Sequence, residues 1–301
     1  MSNPLVGIVV LNWNCPSDTI CCLQSIKKSD YHNYHLLVVD NGSSDDSIAQ
    51  LHEYYSNLEV FESGENLGYA GGNNTGIKVL LERGAEYILL LNDDVILSPD
   101  TLSHLARAAL EYPNSGFLGP KIVCLEDPKR LLSAGGLLTH DYQSVHRGMG
   151  ESDKGQYNLD QKVDFLSGSA LLVNKTTINQ IGWLDEAYFT YYEDIDWCFR
   201  GREDGLDCLF VPDAVVRHPD TRERDTGSPL VTYYMARNRL YFIRKHCLGA
   251  RTAFNILLED GRTILSWSLR PRWKHKKQQR HALITGILDF FRGRQGKAQH
   301  L

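Results

Sequence analysis

An α/β fold follows from three features of the sequence: apolar, β-branched runs of strand length, helical spacings between them, and polar residues closing each run. The expected architecture is a central, mostly parallel sheet flanked by helices, followed by a helical extension at the C-terminus. Leu5–Leu11 is a continuous apolar run and predicts a buried strand, while Cys15–Lys28 carries Ile20, Leu23 and Ile26 at helical spacing. Leu36–Val39 predicts a second strand, and Ser43-Ser44-Asp45-Asp46 offers capping chemistry for a helix through Ile48 and Leu51. Leu58–Phe61 predicts a third strand, then a Gly-rich turn and a helix from about Asn73 to Glu82. Tyr87–Leu91 predicts the fourth, and Ser98-Pro99 starts a helix through Glu111 with proline in the first turn. Strands apolar throughout and separated by helices imply a parallel sheet covered on both faces.

Beyond residue 115 the pattern is less regular. Gly116–Val123, Leu131–Leu138 and Val163–Val173 read as strands, with 139–162 a polar loop. Glu193–Glu203 is an amphipathic helix, and Leu209–Val211 and Ala214–Val216 are short strands running into His218. Residues 219–228 form a charged candidate mobile loop before a long helix that starts near Pro229. The chain therefore divides into 1–245, with halves 1–115 and 116–245, and a basic extension, 246–301.

Charge is unevenly spread. Residues 244–301 hold 13 Lys and Arg against Glu259, Asp260 and Asp289, whereas residues 1–243 carry a net −15. An acidic body argues against wholesale nucleic-acid binding and directs any anionic partner to the C-terminus. Seven cysteines without a CxxC pair favour a reducing compartment over a disulfide framework. The apolar run at Leu5 is too short for a signal peptide, and no run approaches the ~20 residues that cross a bilayer. A cytoplasmic protein is expected.

The four predicted strands are followed by Asn12, by Asp40-Asn41, by Asn66 after a short turn, and by Asn92-Asp93-Asp94. Open α/β sheets bind ligands outside the carboxyl ends of their strands. Turn formation explains any one of these positions but accounts poorly for all four. Adjacent carboxylates at Asp93 and Asp94 repel unless a cation or a donor compensates them, and a hard divalent ion suits them. His218, also near a strand end, is a plausible partner to Asp94 through a neutral imidazole nitrogen. Glu193, Asp194 and Asp196 open a helix, where carboxylates are stabilised, and Phe189-Thr190-Tyr191-Tyr192 places aromatics beside them. A carboxylate against apolar rings has its pKa raised, which suits a general base.

Five ordered motifs carry a resemblance. They are Val10-Leu11-Asn12-Trp13-Asn14, Val39-Asp40-Asn41-Gly42-Ser43, and the run from Asn66 through Gly68, Gly71 and Gly72 to Asn73 and Asn74. Leu91-Asn92-Asp93-Asp94 and Phe189 through Asp194 to Arg200 complete the series. Over about residues 5–245 the chain resembles the family 2 glycosyltransferases of the GT-A fold, particularly the bacterial rhamnosyltransferase-like branch. It departs from the usual Asp-x-Asp, which reads Asn92-Asp93-Asp94 here.

The resemblance implies an inverting, metal-dependent enzyme using a dTDP- or UDP-sugar, rhamnose being the first guess. Asp40 would accept the N3–H of uracil or thymine; Asn12, Asn66, Gly72 and Asn73 would line the nucleoside or its phosphates. Asp93 would face the ribose or sugar, and Asp94 with His218 would hold Mg²⁺ or Mn²⁺ on the diphosphate. Asp194 would deprotonate the acceptor hydroxyl, with Glu193 and Trp197 as weaker acceptor contacts. Arg237, with Asn238, would close over the diphosphate. The implied acceptor is a glycan or a polyprenyl-linked one. The basic C-terminus could touch a membrane peripherally or pack on the body or on a second subunit, so a homodimer stays open. A sugar-1-phosphate nucleotidyltransferase is a weaker reading, because Asn12–Pro16 is not a Gly- and Arg-rich triphosphate loop. A dehydrogenase lacks its G-x-G-x-x-G. A non-catalytic sugar- or nucleotide-binding module is the remaining alternative.

Overall fold

A computed structural model describes residues 3–299. Strands β1 (Val6–Asn12), β2 (Tyr34–Asp40), β3 (Val60–Glu62) and β4 (Tyr87–Asn92) alternate with helices α1 (Pro16–Ile26), α2 (Ser47–Tyr54) and α3 (Gly68–Glu82). They lie side by side, all parallel, in the order β4-β1-β2-β3. Register sets Asn12 beside Asp40 and Leu11 beside Asn92, so the polar strand ends form one row at the carboxyl edge. Alternation along the strands splits the core. Val6, Ile8 and Val10 pack toward α1, while Val9, Leu37 and Val39 face α3.

The chain continues through β5 (Ile96–Leu97), α4 (Thr101–Glu111), β6 (Ser115–Cys124), β7 (Leu131–Ser133), β8 (Gly136–Leu138), β9 (Ser144–His146), β10 (Gln161–Val163) and β11 (Ala170–Asn174). Next come α5 (Lys175–Ile181), α6 (Glu193–Glu203), β12 (Asp207–His218), α7 (Arg222–Gly227), α8 (Pro229–Lys245) and α9 (Ala250–Leu269). A 3₁₀ turn, Pro271–Lys276, then leads into α10 (Lys277–Phe291). The full sheet runs β10-β12-β6-β11-β4-β1-β2-β3. Its second half is mixed, because β11 runs antiparallel to both β4 and β6. Parallel pairing therefore describes the first half of the chain better than the second.

Several sequence-based boundaries shift. Helix α3 begins at Gly68, so the expected Gly-rich turn is its first turn. Gly68 has a φ of +73°, and a Cβ there would run into Phe189. Gly72 is helical and packed: an added Cβ would lie 2.5 Å from Leu11 Cδ1. Helix α4 starts at Thr101 rather than at Pro99, because Ser98 N–H donates to Val215 O and continues the edge pairing begun by β5. The predicted strand 131–138 is broken at Gly135 (φ +85°) into β7 and β8. The predicted strand 163–173 is broken by residues 164–169, which leave the sheet for the functional edge. Conversely, β12 is one strand, its register shifting between Val211 and Val215 where Pro212 has no N–H to give. The expected loops hold β9 and the start of β10 within 139–162, and α7 within 219–228.

Helix α10 lies along α8, with Ala282 and Leu283 buried. Gly286 permits the approach, since a Cβ there would meet Tyr233 O at 2.6 Å. Gly72→Ala should destabilise the protein by about 1–3 kcal/mol through overpacking against Leu11. Urea unfolding checks this; an unchanged midpoint would show that the helix–sheet contact is not tight.

Candidate functional site

At the ends of β1 and β2 the Asp40 carboxylate is almost completely buried and held on both oxygens. Oδ1 accepts from Asn12 Nδ2 (2.8 Å) and Ser43 Oγ (2.6 Å); Oδ2 accepts from Ser43 N–H (3.0 Å). Asn12 has no exposed surface, and its Oδ1 accepts from Thr19 Oγ1 (2.8 Å). Its observed role is to orient Asp40. Beside them Asn41 fastens the loop after β3: its Nδ2 donates to Gly68 O (3.0 Å), and its Oδ1 accepts from Leu67 N–H (2.9 Å). Asn66 Oδ1 accepts from Gly68 N–H (2.8 Å) and shapes the same turn. Asn73 is fully buried, donating to Tyr69 O (2.9 Å) while its Oδ1 has no partner. Neither Asn73 nor Gly72 offers surface to a ligand in this conformation.

The end of β4 concentrates charge. Burial, with the neighbouring charges of Asp94 and Asp18, pushes Asp93 up to about 7, against the N–H donors of Asp93 and Trp13. Asp94 Oδ1 is buried without a hydrogen-bond partner, 3.3 Å from His218 Nε2. On the other side of that ring, Nδ1 is 2.7 Å from Pro219 O. An imidazole donating there presents the lone pair of Nε2 to Asp94. Two acceptors then face each other, an arrangement that a shared proton or a metal cation resolves. Among the described residues no three carboxylate, histidine or cysteine side chains form a ready-made metal site. Asp94 and His218 thus fit a hard divalent ion only as part of a shell completed by phosphate oxygens and water.

Opposite, α6 presents its acidic N-terminus. Asp194 Oδ2 accepts from Gly168 N–H (2.8 Å) and its Oδ1 from Ile195 N–H (2.8 Å). Burial raises its pKa, against those N–H groups and the charge of His146. Ser169 O in turn accepts from Asn92 N–H (3.0 Å), and Tyr69 OH donates to Gly168 O (2.6 Å). Residues 168–169 therefore bring α6 and the end of β4 to the same edge of the sheet. Glu193 is buried, its Oε2 has no partner, and burial together with Asp194 holds its pKa well above the usual range. His146, on β9, feels both clusters: burial lowers its pKa, Asp194 pulls it up and His218 pushes it down.

Phe189, Tyr191 and Tyr192 precede α6 with φ of 67°, 65° and 77°. Left-handed backbone at non-glycine residues costs on the order of 1 kcal/mol each and needs support. The support is the buried pair Arg237 and Asn238 on α8. Asn238 Nδ2 lies within bonding distance of Tyr188 O (3.0 Å), Thr190 O (2.8 Å) and Tyr191 O (2.7 Å). Arg237 donates to Tyr188 O (2.9 Å) and Gly296 O (2.6 Å). This corrects the expectation that Arg237 closes over a diphosphate: at 2% exposure, its guanidinium is engaged with backbone carbonyls. Trp197 likewise is no acceptor contact. It is fully buried, donates from Nε1 to Gly182 O (2.9 Å) and packs edge-on against Phe117.

The glycosyl transferase family 2 model matches residues 7–182. The chain belongs to that family. This glycosyltransferase is 28% identical over 306 residues to the low-salt glycan biosynthesis hexosyltransferase Agl10 of Haloferax volcanii, covering 98% of this chain and 94% of the relative. It is 29% identical over 235 residues to the N-acetylglucosaminyl-diphospho-decaprenol L-rhamnosyltransferase of Mycobacterium tuberculosis, covering 70% of this chain and 76% of the other. In fold it is similar to the mannosyltransferase PcManGT of Pyrobaculum calidifontis, solved with GDP-Man and Mn²⁺. The TM-score there is 0.58 at 15% identity, over 97% of this chain and 88% of that one. The fold is therefore GT-A, and the protein is an enzyme that takes a sugar from a nucleotide-sugar.

Sequence reasoning did not single out the roles of Ser43, Asn41, His146 or Asp196. Asp196 is completely buried. Although burial alone would raise its pKa, His246, Lys245 and Arg200 hold it down at about 2. They sit on its oxygens at 2.8, 2.8 and 2.9 Å, and Tyr188 OH donates to it at 3.0 Å. Asp196→Ala should cost about 3–5 kcal/mol, because it strands buried cations. A depressed folded pKa means this stabilisation is present above the unfolded carboxylate's pKa and is lost as pH falls through about 2. The wild-type advantage in urea should thus be full at neutral pH and shrink below about pH 4.

Proposed function

We propose that this chain is an inverting, divalent-cation-dependent glycosyltransferase. It moves a sugar, rhamnose being the first candidate, from a dTDP- or UDP-linked donor to a hydroxyl of a glycan or polyprenyl-linked acceptor. The observation that carries this reading is the meeting, at one sheet edge, of Asp194 with the Asp94–His218 pair through residues 168–169. The sugar and the lipid-linked acceptor rest on relatives named as rhamnosyltransferases, including one named for a decaprenol diphosphate acceptor and the dTDP-rhamnosyl transferase RfbF of Shigella flexneri.

Asp40, fixed by Asn12 and Ser43, keeps acceptor capacity on Oδ2 for the N3–H of uracil or thymine, a donor that cytosine lacks. The Asp94 carboxylate and His218 Nε2 would hold Mg²⁺ or Mn²⁺ against the donor diphosphate; when bound, such an ion offsets charge growing on the leaving group. Asp93 sits beside them, where a ribose or sugar hydroxyl can donate to it. Asn66 shapes the loop flanking the nucleoside and is assigned the same binding edge.

Asp194 takes the proton of the acceptor hydroxyl as its oxygen attacks the anomeric carbon. The bond from that carbon to the diphosphate oxygen breaks with its electron pair leaving on phosphate. A single displacement inverts configuration. Burial suits Asp194 to this step, since a carboxylate of raised pKa is a stronger base. Glu193, buried and without a hydrogen-bond partner at Oε2, has its ionisation disfavoured by burial and by the charge of Asp194 beside it.

Asp194→Asn should lower transfer about 10²–10⁴-fold while nucleotide binding, read by calorimetry, survives. Transfer retained in the variant would move the base elsewhere, and a wild type without transfer or donor hydrolysis would make the chain a binding module. A nucleoside diphosphate with Mn²⁺ should raise the thermal midpoint of the wild type more than the nucleotide alone. Asp94→Ala and His218→Ala should each abolish that Mn²⁺-dependent increment, as should EDTA. An increment that persists in both variants would place the ion elsewhere.

A further inference from the structure

Helix α9 faces two ways. Ile256 and Asp260 are buried toward the body, where Asp260 bonds Arg239 at 3.0 Å, and Asn255 and Glu259 reach the β8–β9 hairpin at Asp141 and Gln143. Its outer side carries Phe254, Leu258, Leu265 and Leu269, exposed by 60, 43, 58 and 70%. At 100° per residue these four fall within an arc of about 60°, a continuous apolar stripe along the helix. Arg251 and Arg262, both exposed, lie along one edge of it. The 3₁₀ turn that follows adds Arg272 and Lys274, also exposed. From Gly261 to Leu288 the sequence holds seven Lys and Arg and no Asp or Glu.

An apolar stripe edged by uncompensated cations is what a helix lying in the plane of a lipid headgroup layer presents. A protein partner with an apolar groove would match the stripe alone, whereas the charge selects an anionic surface. No helix among the described residues is long and apolar enough to span a membrane, so contact at this face is interfacial. The same segment reaches the functional edge: Lys276 Nζ donates to Thr226 O (2.7 Å) and Gln279 Nε2 to Gly227 O, holding α7 just after His218.

We propose that the outer face of α9, with the basic 3₁₀ turn behind it, docks this enzyme onto the surface of an anionic lipid bilayer. The surface stands apart from the chemistry of the site, so it is tested without donor, acceptor or metal. In flotation assays the wild type should bind vesicles of phosphatidylcholine containing about one-third phosphatidylglycerol, not pure phosphatidylcholine vesicles, and salt should weaken the binding. Phe254→Glu/Leu265→Glu should reduce partitioning by about tenfold or more, with its thermal midpoint retained because both side chains are exposed. Arg262→Ser/Arg272→Ser/Lys274→Ser, which leaves the stripe intact, should bind more weakly and with a flatter salt dependence.

Equal flotation of wild type and the Glu variant would overturn the proposal. So would absence of binding to anionic vesicles at low salt. If light scattering instead finds a wild-type dimer that the Glu variant splits, without vesicle binding, the stripe is a self-association face and the proposal fails.

Discussion

The buried Arg237–Asn238 pair is the constraint on which the catalytic half depends. The turn at 187–192 bends through three left-handed non-glycine residues, and its Tyr188, Thr190 and Tyr191 carbonyls accept from side chains of α8. Without α8, the Thr190 and Tyr191 carbonyls would lose the Asn238 donor, at about 1–3 kcal/mol for each that stays out of water. A guanidinium and a carboxamide supply the donors from one helical turn. The tail closes the arrangement, since Gly296 O accepts from Arg237 and Gly296 N–H donates to Ala187 O. The turn also touches the first half of the chain: Phe189 O accepts from Ala70 N–H, and Gly68 leaves room for Phe189. One short segment thereby ties the N-terminus of α3 to the N-terminus of α6.

Within the first turn of α6, three acidic residues meet opposite environments. For Glu193 and Asp194 burial outweighs the opposing groups, and their pKa values rise. Asp196, equally buried, meets Lys245, Arg200 and His246 and stays ionised. The difference is one of facing. Asp196 turns toward α8 and the body, while Asp194 turns toward the N–H of Gly168. One helix thus separates a charge that holds the structure from a carboxyl with the properties of a base.

Much of the first half was legible because local signals agreed with one another. Apolar runs, helical spacing and strand-end polar residues each pointed to a parallel sheet with a ligand edge, and the register aligns those ends. The starts of α6 and α8 were legible for the same reason, the first from its acidic residues and the second from Pro229. Misplaced boundaries fell where distant partners decide. Pro99 looked like a first-turn proline until Ser98 was engaged by Val215, and 163–173 looked like one strand until 164–169 turned toward Asp194.

By itself the sequence determined the fold class, the family motifs and the residues able to carry charge at the sheet edge, because these depend on periodicity and residue chemistry within short windows. It could not determine which polar side chains face a ligand. Asn12, Asn73, Arg237 and Trp197 read as surface contacts, yet all four are buried. Their donors and acceptors are directed, wholly or in part, at other parts of the protein, and in Arg237 that partner is a carbonyl 59 residues away. Hydrogen-bond satisfaction in a buried position depends on which distant segments the packing brings together, and only the tertiary structure contains that information.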